Sequence, residues 1–173
     1  MTALDHLDVT VDDGVATITI NRPERLNAIS AGEGGTRDQI LVALAGAEED
    51  EDVGCVVLSG AGGNFSSGGD LSANAPRESA SEHVAFLERG EDFHRRLRQT
   101  SLPVVAAVDG VCFGAALSLV ASCDLVVAAR SARFGLPEGR IGLVGVGPLV
   151  PIVGRQWAKF LVFSGEEISA EVA

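Results

Sequence analysis

Apolar and polar residues alternate at the start of the chain. Leu7, Val9 and Val11 precede Asp12-Asp13-Gly14, and Ala16, Ile18 and Ile20 continue the pattern beyond it. Alternation on both sides of a short Asp-Gly turn predicts a β-hairpin, ended by Asn21-Arg22-Pro23. Between residues 30 and 46, Ile40, Leu41 and Leu44 suit a short helix, weakened by Gly32, Gly34 and Gly35. Residues 53–58 form a continuous apolar run closed by Ser59-Gly60, which reads as a buried strand. A Gly/Ser-rich stretch, 60–75, follows. Residues 79–100 read as a helix with Val84, Leu87, Phe93 and Leu97 on one face and charges opposite. Further strands are predicted at 103–108, 124–129 and 133–135, with a short helix over 114–123. A last helix over 149–163 is broken in two by Pro151 and Gly154. Recurring strand–helix units predict an α/β fold in one domain.

Composition narrows the picture. The chain has 173 residues, 46% of them hydrophobic and 21% charged, with a mean hydropathy of +0.26. A disordered chain is excluded, and no apolar run approaches the ~20 residues of a membrane span. The net charge is −11, and residues 1–60 carry twelve carboxylates against three arginines. No basic stripe is present to neutralise phosphates, so nucleic acid is not an expected partner. The acidic run 48–52 reads as a solvated turn. Cys55, Cys112 and Cys123 are odd in number and sit in apolar segments, which points to reduced core thiols in a cytoplasmic protein, without a metal site. His6, His83 and His94 fall in the hairpin or on the polar helix face and are expected at the surface.

Two glycine-rich turns each follow a buried strand and precede a helix: Phe65-Ser66-Ser67-Gly68-Gly69-Asp70-Leu71 and Asp109-Gly110-Val111-Cys112-Phe113-Gly114-Ala115-Ala116. Small residues let a ligand approach the backbone, and free N–H groups at a helix start favour negative charge. Two such turns can supply converging donors, an oxyanion hole, or they can be structural alone. Neither fits a dinucleotide or P-loop fingerprint. Asp70 reads as a cap of the turn that begins there. Glu138, among Leu136, Ile141 and Leu143, is either a desolvated carboxylate able to act as a base or a surface glutamate on a turn.

These segments, in this order, resemble the crotonase family of enoyl-CoA hydratases and isomerases. The matching stretches include Val15-Ala-Thr-Ile-Thr-Ile-Asn-Arg-Pro-Glu-Arg-Leu-Asn-Ala28 and the run from Phe65 to Leu71. They continue with Pro103-Val-Val-Ala-Ala-Val-Asp-Gly110, Gly114-Ala-Ala116, Cys123-Asp-Leu125, Arg133-Phe-Gly-Leu-Pro-Glu138 and Phe163-Ser-Gly-Glu-Glu-Ile-Ser-Ala170. The resemblance implies a right-handed ββα spiral, assembled as a homo-oligomer (trimer or hexamer), acting on an acyl-CoA thioester. It implies no cofactor beyond the coenzyme A carried by the substrate. It makes Gly69 and Ala115 the N–H pair that grips the thioester oxygen, and Glu138 a catalytic glutamate. Arg25, Leu26, Ala28, Ser67, Asp70 and Leu71 would line the coenzyme A groove, with Pro137 and Val146 among the substrate-binding residues.

The departures from the family pattern shape the expected reaction. Ser118 stands where hydratases carry their second glutamate, and Val146 where dienoyl isomerases carry an acid. Ala115 replaces the usual glycine. The expected reaction is therefore isomerisation of an enoyl thioester with Glu138 as the single acid/base. Hydration with water placed by Ser118 is the alternative. Family members carry further C-terminal helices, so the chain is expected to be a truncated product or fragment. In that form it could bind and oligomerise with little activity.

Overall fold

The computed structural model describes residues 4–73, 79–142 and 147–173. The hairpin is present as β1 (Leu7–Asp12) and β2 (Val15–Ile20), paired antiparallel about Asp13-Gly14. Both turn residues have positive φ, as a two-residue hairpin turn with matching twist requires. β3 (Cys55–Gly60), β4 (Val104–Val108) and β6 (Leu125–Ala128) extend the sheet in parallel, in the order β1-β2-β3-β4-β6. Ala16, Ile18, Ile20, Val56, Leu58, Val104, Ala106 and Val108 are all buried, so every second residue of β2, β3 and β4 faces the core. Helix α1 (Thr36–Glu49) packs on β1 and β2, and α2 (Ala80–Arg98) packs on α1.

A second, smaller sheet runs β5-β7-β8, built from Val111–Phe113, Arg133–Gly135 and Glu167–Ser169. Two isolated bridges continue it: Ser66 pairs with Cys112, and Ile29 pairs with Gly69. Each strand of the large sheet after β1 is thus followed by a short segment in the second layer. Ile29 follows β2, residues 66–69 follow β3, β5 follows β4, and β7 follows β6. This is the repeating strand–strand–helix spiral that the sequence resemblance implies. The short helix α3 (Ala115–Val120) leaves β5, and α4 (Val150–Ser164) precedes β8.

Several expectations are corrected. α1 starts at Thr36, because the loop before it is closed by Ser30, whose Oγ accepts from the Thr36 N–H at 2.9 Å. β5 lies inside the second glycine-rich turn, and both β5 and β8 are three-residue strands with no periodicity to reveal them. The interruption expected in the last helix is present: inside α4 the backbone of Gly154 (φ 74°, ψ 163°) leaves the helical region and kinks it into two segments. On α2 only Phe93, His94 and Leu97 are buried, while Val84 and Leu87 are about half exposed. The N-terminal half of that helix therefore stands away from the core. His94 is buried at 8% exposure, not at the surface, and His6 is part-buried with its ring bonded to Thr36. The acidic run is a turn after Glu49, but Glu48 accepts from the Ser101 N–H and hydroxyl at 2.6 and 2.9 Å. All three cysteines are free thiols, Cys112 buried and the others partly so. No helix among the described residues is long and apolar enough to cross a membrane.

Candidate active site

The site is assembled from three turns of the second layer. The first begins where Pro23 starts a single 3-10 turn, Pro23–Arg25. Leu26 and Asn27 follow with φ of 49° and 56°, an uncommon backbone for residues with a Cβ. Asn27 is fully buried and holds this shape. Its Oδ1 accepts from the Arg22 N–H at 2.9 Å, and its Nδ2 donates to the carbonyls of Ala61 and Asn64 at 2.8 and 2.7 Å. The Arg22 guanidinium donates to the Ala28 carbonyl at 2.6 Å and pairs with Asp70 at 3.1 Å. Sequence reasoning gave Arg22 and Asn27 no role, although the Asn21-Arg22-Pro23 break and the Asn before Ala28 were visible signals.

The second turn, residues 66–71, lies against the first. Ser67 donates to the Leu26 carbonyl at 2.9 Å, Ile29 to the Gly68 carbonyl at 2.7 Å, and Asp70 to the Ile29 carbonyl at 2.9 Å. Arg25, Leu26, Ala28, Ser67, Asp70 and Leu71 are therefore brought together, with Leu26 and Leu71 exposed and Asp70 buried. Asp70 caps its turn as expected: Oδ1 accepts from the Ser72 N–H and hydroxyl at 3.1 and 2.6 Å. The Ser72 hydroxyl, then Arg22, hold its carboxyl below the usual carboxylate range, against the opposing effect of burial. Arg25 approaches it at 3.7 Å and donates to Ser72 Oγ at 2.7 Å.

The third turn carries Gly114 and Ala115. Gly68 (φ +100°) packs so closely on it that a Cβ there would sit 2.5 Å from the Phe113 carbonyl oxygen and 3.3 Å from the Ala115 nitrogen. Ser66 donates to Val111 and accepts from Phe113, locking the two turns side by side. A Cβ built on Gly69 would lie 4.0 Å from the Ala115 methyl. Among the described residues neither the Gly69 nor the Ala115 N–H donates a hydrogen bond. Ala115 opens α3, so its N–H is one of the donors that a helix start leaves without an internal partner.

Glu138 reaches this junction from the 3-10 turn Pro137–Ile141. A Cβ added to Gly114 would lie 3.0 and 3.2 Å from its two carboxylate oxygens, so the carboxylate rests on the backbone that opens α3. The side chain is half-buried, and Oε2 is buried with no hydrogen-bond partner. Burial pushes its pKa up, and only a hydrogen bond to its own backbone opposes this. A solvated surface glutamate would show neither feature. The turn is fixed from behind: a Cβ on Gly139 would overlap the Val162 carbonyl oxygen, and Arg140 pairs with Glu166 at 3.2 Å. Pro137 is exposed. Ser118 is buried on α3, three residues past Ala115, and Val146 lies outside the described residues. The arrangement offers two unspent N–H donors and one desolvated carboxylate, suited to holding an oxyanion and moving a proton beside it.

A family profile described as enoyl-CoA hydratase/isomerase matches residues 10–173. The chain belongs to this family. It is 36% identical over 170 residues to the 1,2-epoxyphenylacetyl-CoA isomerase of Escherichia coli, covering 94% of this chain and 64% of that protein. It is 34% identical to the short-chain-enoyl-CoA hydratase of Clostridium acetobutylicum, covering 98% and 66% of the two chains. Among solved structures, an enoyl-CoA hydratase/carnithine racemase from Magnetospirillum magneticum superposes with a TM-score of 0.89 at 26% identity, covering 99% and 65%. An enoyl-CoA hydratase from Mycobacterium smegmatis does so with 0.87 at 35% identity, covering 97% and 66%. The chain thus spans about two thirds of the length of each of these four relatives.

Proposed function

We propose that the chain acts on acyl-CoA thioesters as an enoyl-CoA isomerase with one catalytic carboxylate. The observation that carries this is the pairing of Glu138 with the α3 start. A desolvated carboxylate, its Oε2 without a hydrogen-bond partner, rests on Gly114, beside the unspent N–H of Ala115. In this reading the thioester oxygen accepts from the Gly69 and Ala115 N–H groups, and Glu138 takes a proton from C2 of a 3-enoyl thioester. The electron pair delocalises into a dienolate whose oxygen carries the charge. The protonated Glu138 then returns the proton at C4, leaving the double bond at C2. Donors aimed at the developing oxyanion and a base with a raised pKa both lower this barrier. Ser118, a hydroxyl, stands three residues beyond Ala115 on α3, where a second carboxylate would serve water addition.

On this reading residues 25–28 and 67–71 hold the coenzyme A portion of the substrate, and Pro137 belongs to the same binding set. The apolar residues Leu125, Val127, Trp157 and Phe163, all exposed in the single chain, support a homo-oligomer, a trimer or hexamer. The three free cysteines support a reducing, cytoplasmic setting. Relatives carry both isomerase and hydratase names, so hydration with water placed by Ser118 is the competing outcome. The deciding experiment incubates the protein with 3-enoyl and 2-enoyl thioesters of several lengths and identifies products. Conversion of 3-enoyl to 2-enoyl without 3-hydroxyacyl product supports the proposal. Rapid 3-hydroxyacyl formation from 2-enoyl substrate overturns it, and binding with no conversion of either leaves an acyl-CoA-binding, oligomerising protein.

A further inference from the structure

α3 is only six residues long, and its first N–H is the one the proposed chemistry uses. A helix so short is held by what grips its far end. At that end the Ser122 hydroxyl donates to the Ser118 carbonyl at 2.9 Å, four residues back. The same oxygen lies 3.1 Å from Nδ1 of His94, which projects from α2 and is buried at 8% exposure. Ser122 has one proton and spends it on Ser118, so its oxygen accepts here. Nδ1 must therefore carry the hydrogen, and Nε2 is the unprotonated nitrogen of a neutral ring. The ring is fixed on its other side by Phe93, edge-on with centroids 5.2 Å apart, and Arg37 lies over the Phe93 ring. Burial first, then the charges of Arg37 and Arg98, hold the His94 pKa down at about 4, so the ring is uncharged at neutral pH.

We propose that His94 is a positioning residue: through Ser122 it pins the last turn of α3 to α2 and so fixes where the Ala115 N–H points. The inference rests on the role proposed for Ala115, but the restraint itself can be read without turnover. A donor displaced by ~1 Å costs up to ~10²-fold in rate, so a loosened α3 is visible in kcat.

The test uses the full chain with isotope-labelled histidine and backbone, and three variants. His94→Phe keeps a ring and removes the donor, His94→Asn keeps a donor close to the Nδ1 position, and Ser122→Ala removes the hydroxyl. Long-range proton–nitrogen spectra are expected to show Nδ1 protonated and Nε2 bare at neutral pH. The Ala115 amide resonance is expected to move in His94→Phe and Ser122→Ala and to stay near its wild-type position in His94→Asn. With a 3-enoyl thioester, kcat is expected to fall roughly tenfold in His94→Phe with KM little changed, and to recover in His94→Asn. If His94→Phe does not fold, Ser122→Ala decides, since it removes a single hydroxyl. An Nε2-protonated ring overturns the proposal, as does a folded donor-less variant whose Ala115 resonance is unmoved. If the wild-type protein converts no thioester while the resonances behave as expected, the catalytic reading alone fails.

Discussion

Replacing Gly68 by alanine perturbs the junction of the two glycine-rich turns and nothing beyond it. Its φ is +100°, and the added Cβ would sit 2.5 Å from the Phe113 carbonyl oxygen and 3.3 Å from the Ala115 nitrogen. Restoring an ordinary contact requires the turns to separate by about 1 Å. The left-handed backbone costs an alanine roughly 1–2 kcal/mol, and the overpacking roughly 1–3 kcal/mol more. For a domain of this size, a total of ~2–5 kcal/mol lowers Tm by roughly 4–20 °C. The same separation moves the Ala115 N–H away from the Gly69 N–H, and a misplacement of ~1 Å costs turnover up to ~10²-fold. Gly63 is the matched control. It also has positive φ (+74°), but a Cβ there meets nothing within 4 Å. Gly63→Ala should lose only the backbone contribution, roughly 1–2 kcal/mol, and keep full turnover. Thermal unfolding and thioester turnover of the two variants, measured side by side, check both parts. If Gly68→Ala turns over as fast as Gly63→Ala, the packed junction does not set the donor geometry and the reasoning fails.

Three further outcomes are expected. Ser118→Glu adds a second carboxylate to α3 and should raise hydration of 2-enoyl thioesters, measured as 3-hydroxyacyl product; a folded variant with no gain counts against the single-carboxylate account. Burial lowers the folded pKa of His94 to about 4, below the ~6.5 of a solvated imidazole. Protons therefore favour the unfolded chain as pH falls from 6.5 toward 4, removing up to ~3 kcal/mol of stability. His94→Asn should flatten this part of the stability profile in denaturant titrations, and an unchanged slope would contradict the burial argument. Asp70→Asn leaves the guanidinium of Arg22, 12% exposed, without its carboxylate. It should lower Tm by several degrees at neutral pH. It should also remove the stability that Asp70 loses when acid protonates it through its lowered folded pKa; equal acid sensitivity in the variant would refute the assignment.

Most of the large sheet was legible because its strands carry a period of two, as in Ala16, Ile18 and Ile20, or a dense apolar run, as in residues 53–58. Of the second layer only β7, at residues 133–135, was legible. β5 and β8 have three residues each, too few for any period, and the bridges at Ser66 and Ile29 are set by tertiary contact alone. Glu138 stood out as a carboxylate among apolar neighbours, but its place on Gly114 depends on two turns remote in sequence. Arg22 and Asn27 were overlooked because a buried asparagine and a paired arginine look like ordinary turn residues until their partners at Ala61, Asn64 and Asp70 are seen. His94 misled for the opposite reason. The charges around it, Arg95, Arg96 and Arg98, suggest a polar face, yet it lies next to Phe93 on the side that meets α3.

The central claim is that Glu138 alone moves the proton on an oxyanion-stabilised thioester. Deuterium exchange at C2 of a saturated acyl-CoA in heavy water tests it most directly, because it needs neither a double bond nor water addition. Wild-type protein is expected to catalyse the exchange, and Glu138→Gln, which keeps the shape and removes the base, to slow it by ~10²–10⁴. Exchange at the wild-type rate in a folded Glu138→Gln protein would contradict the account.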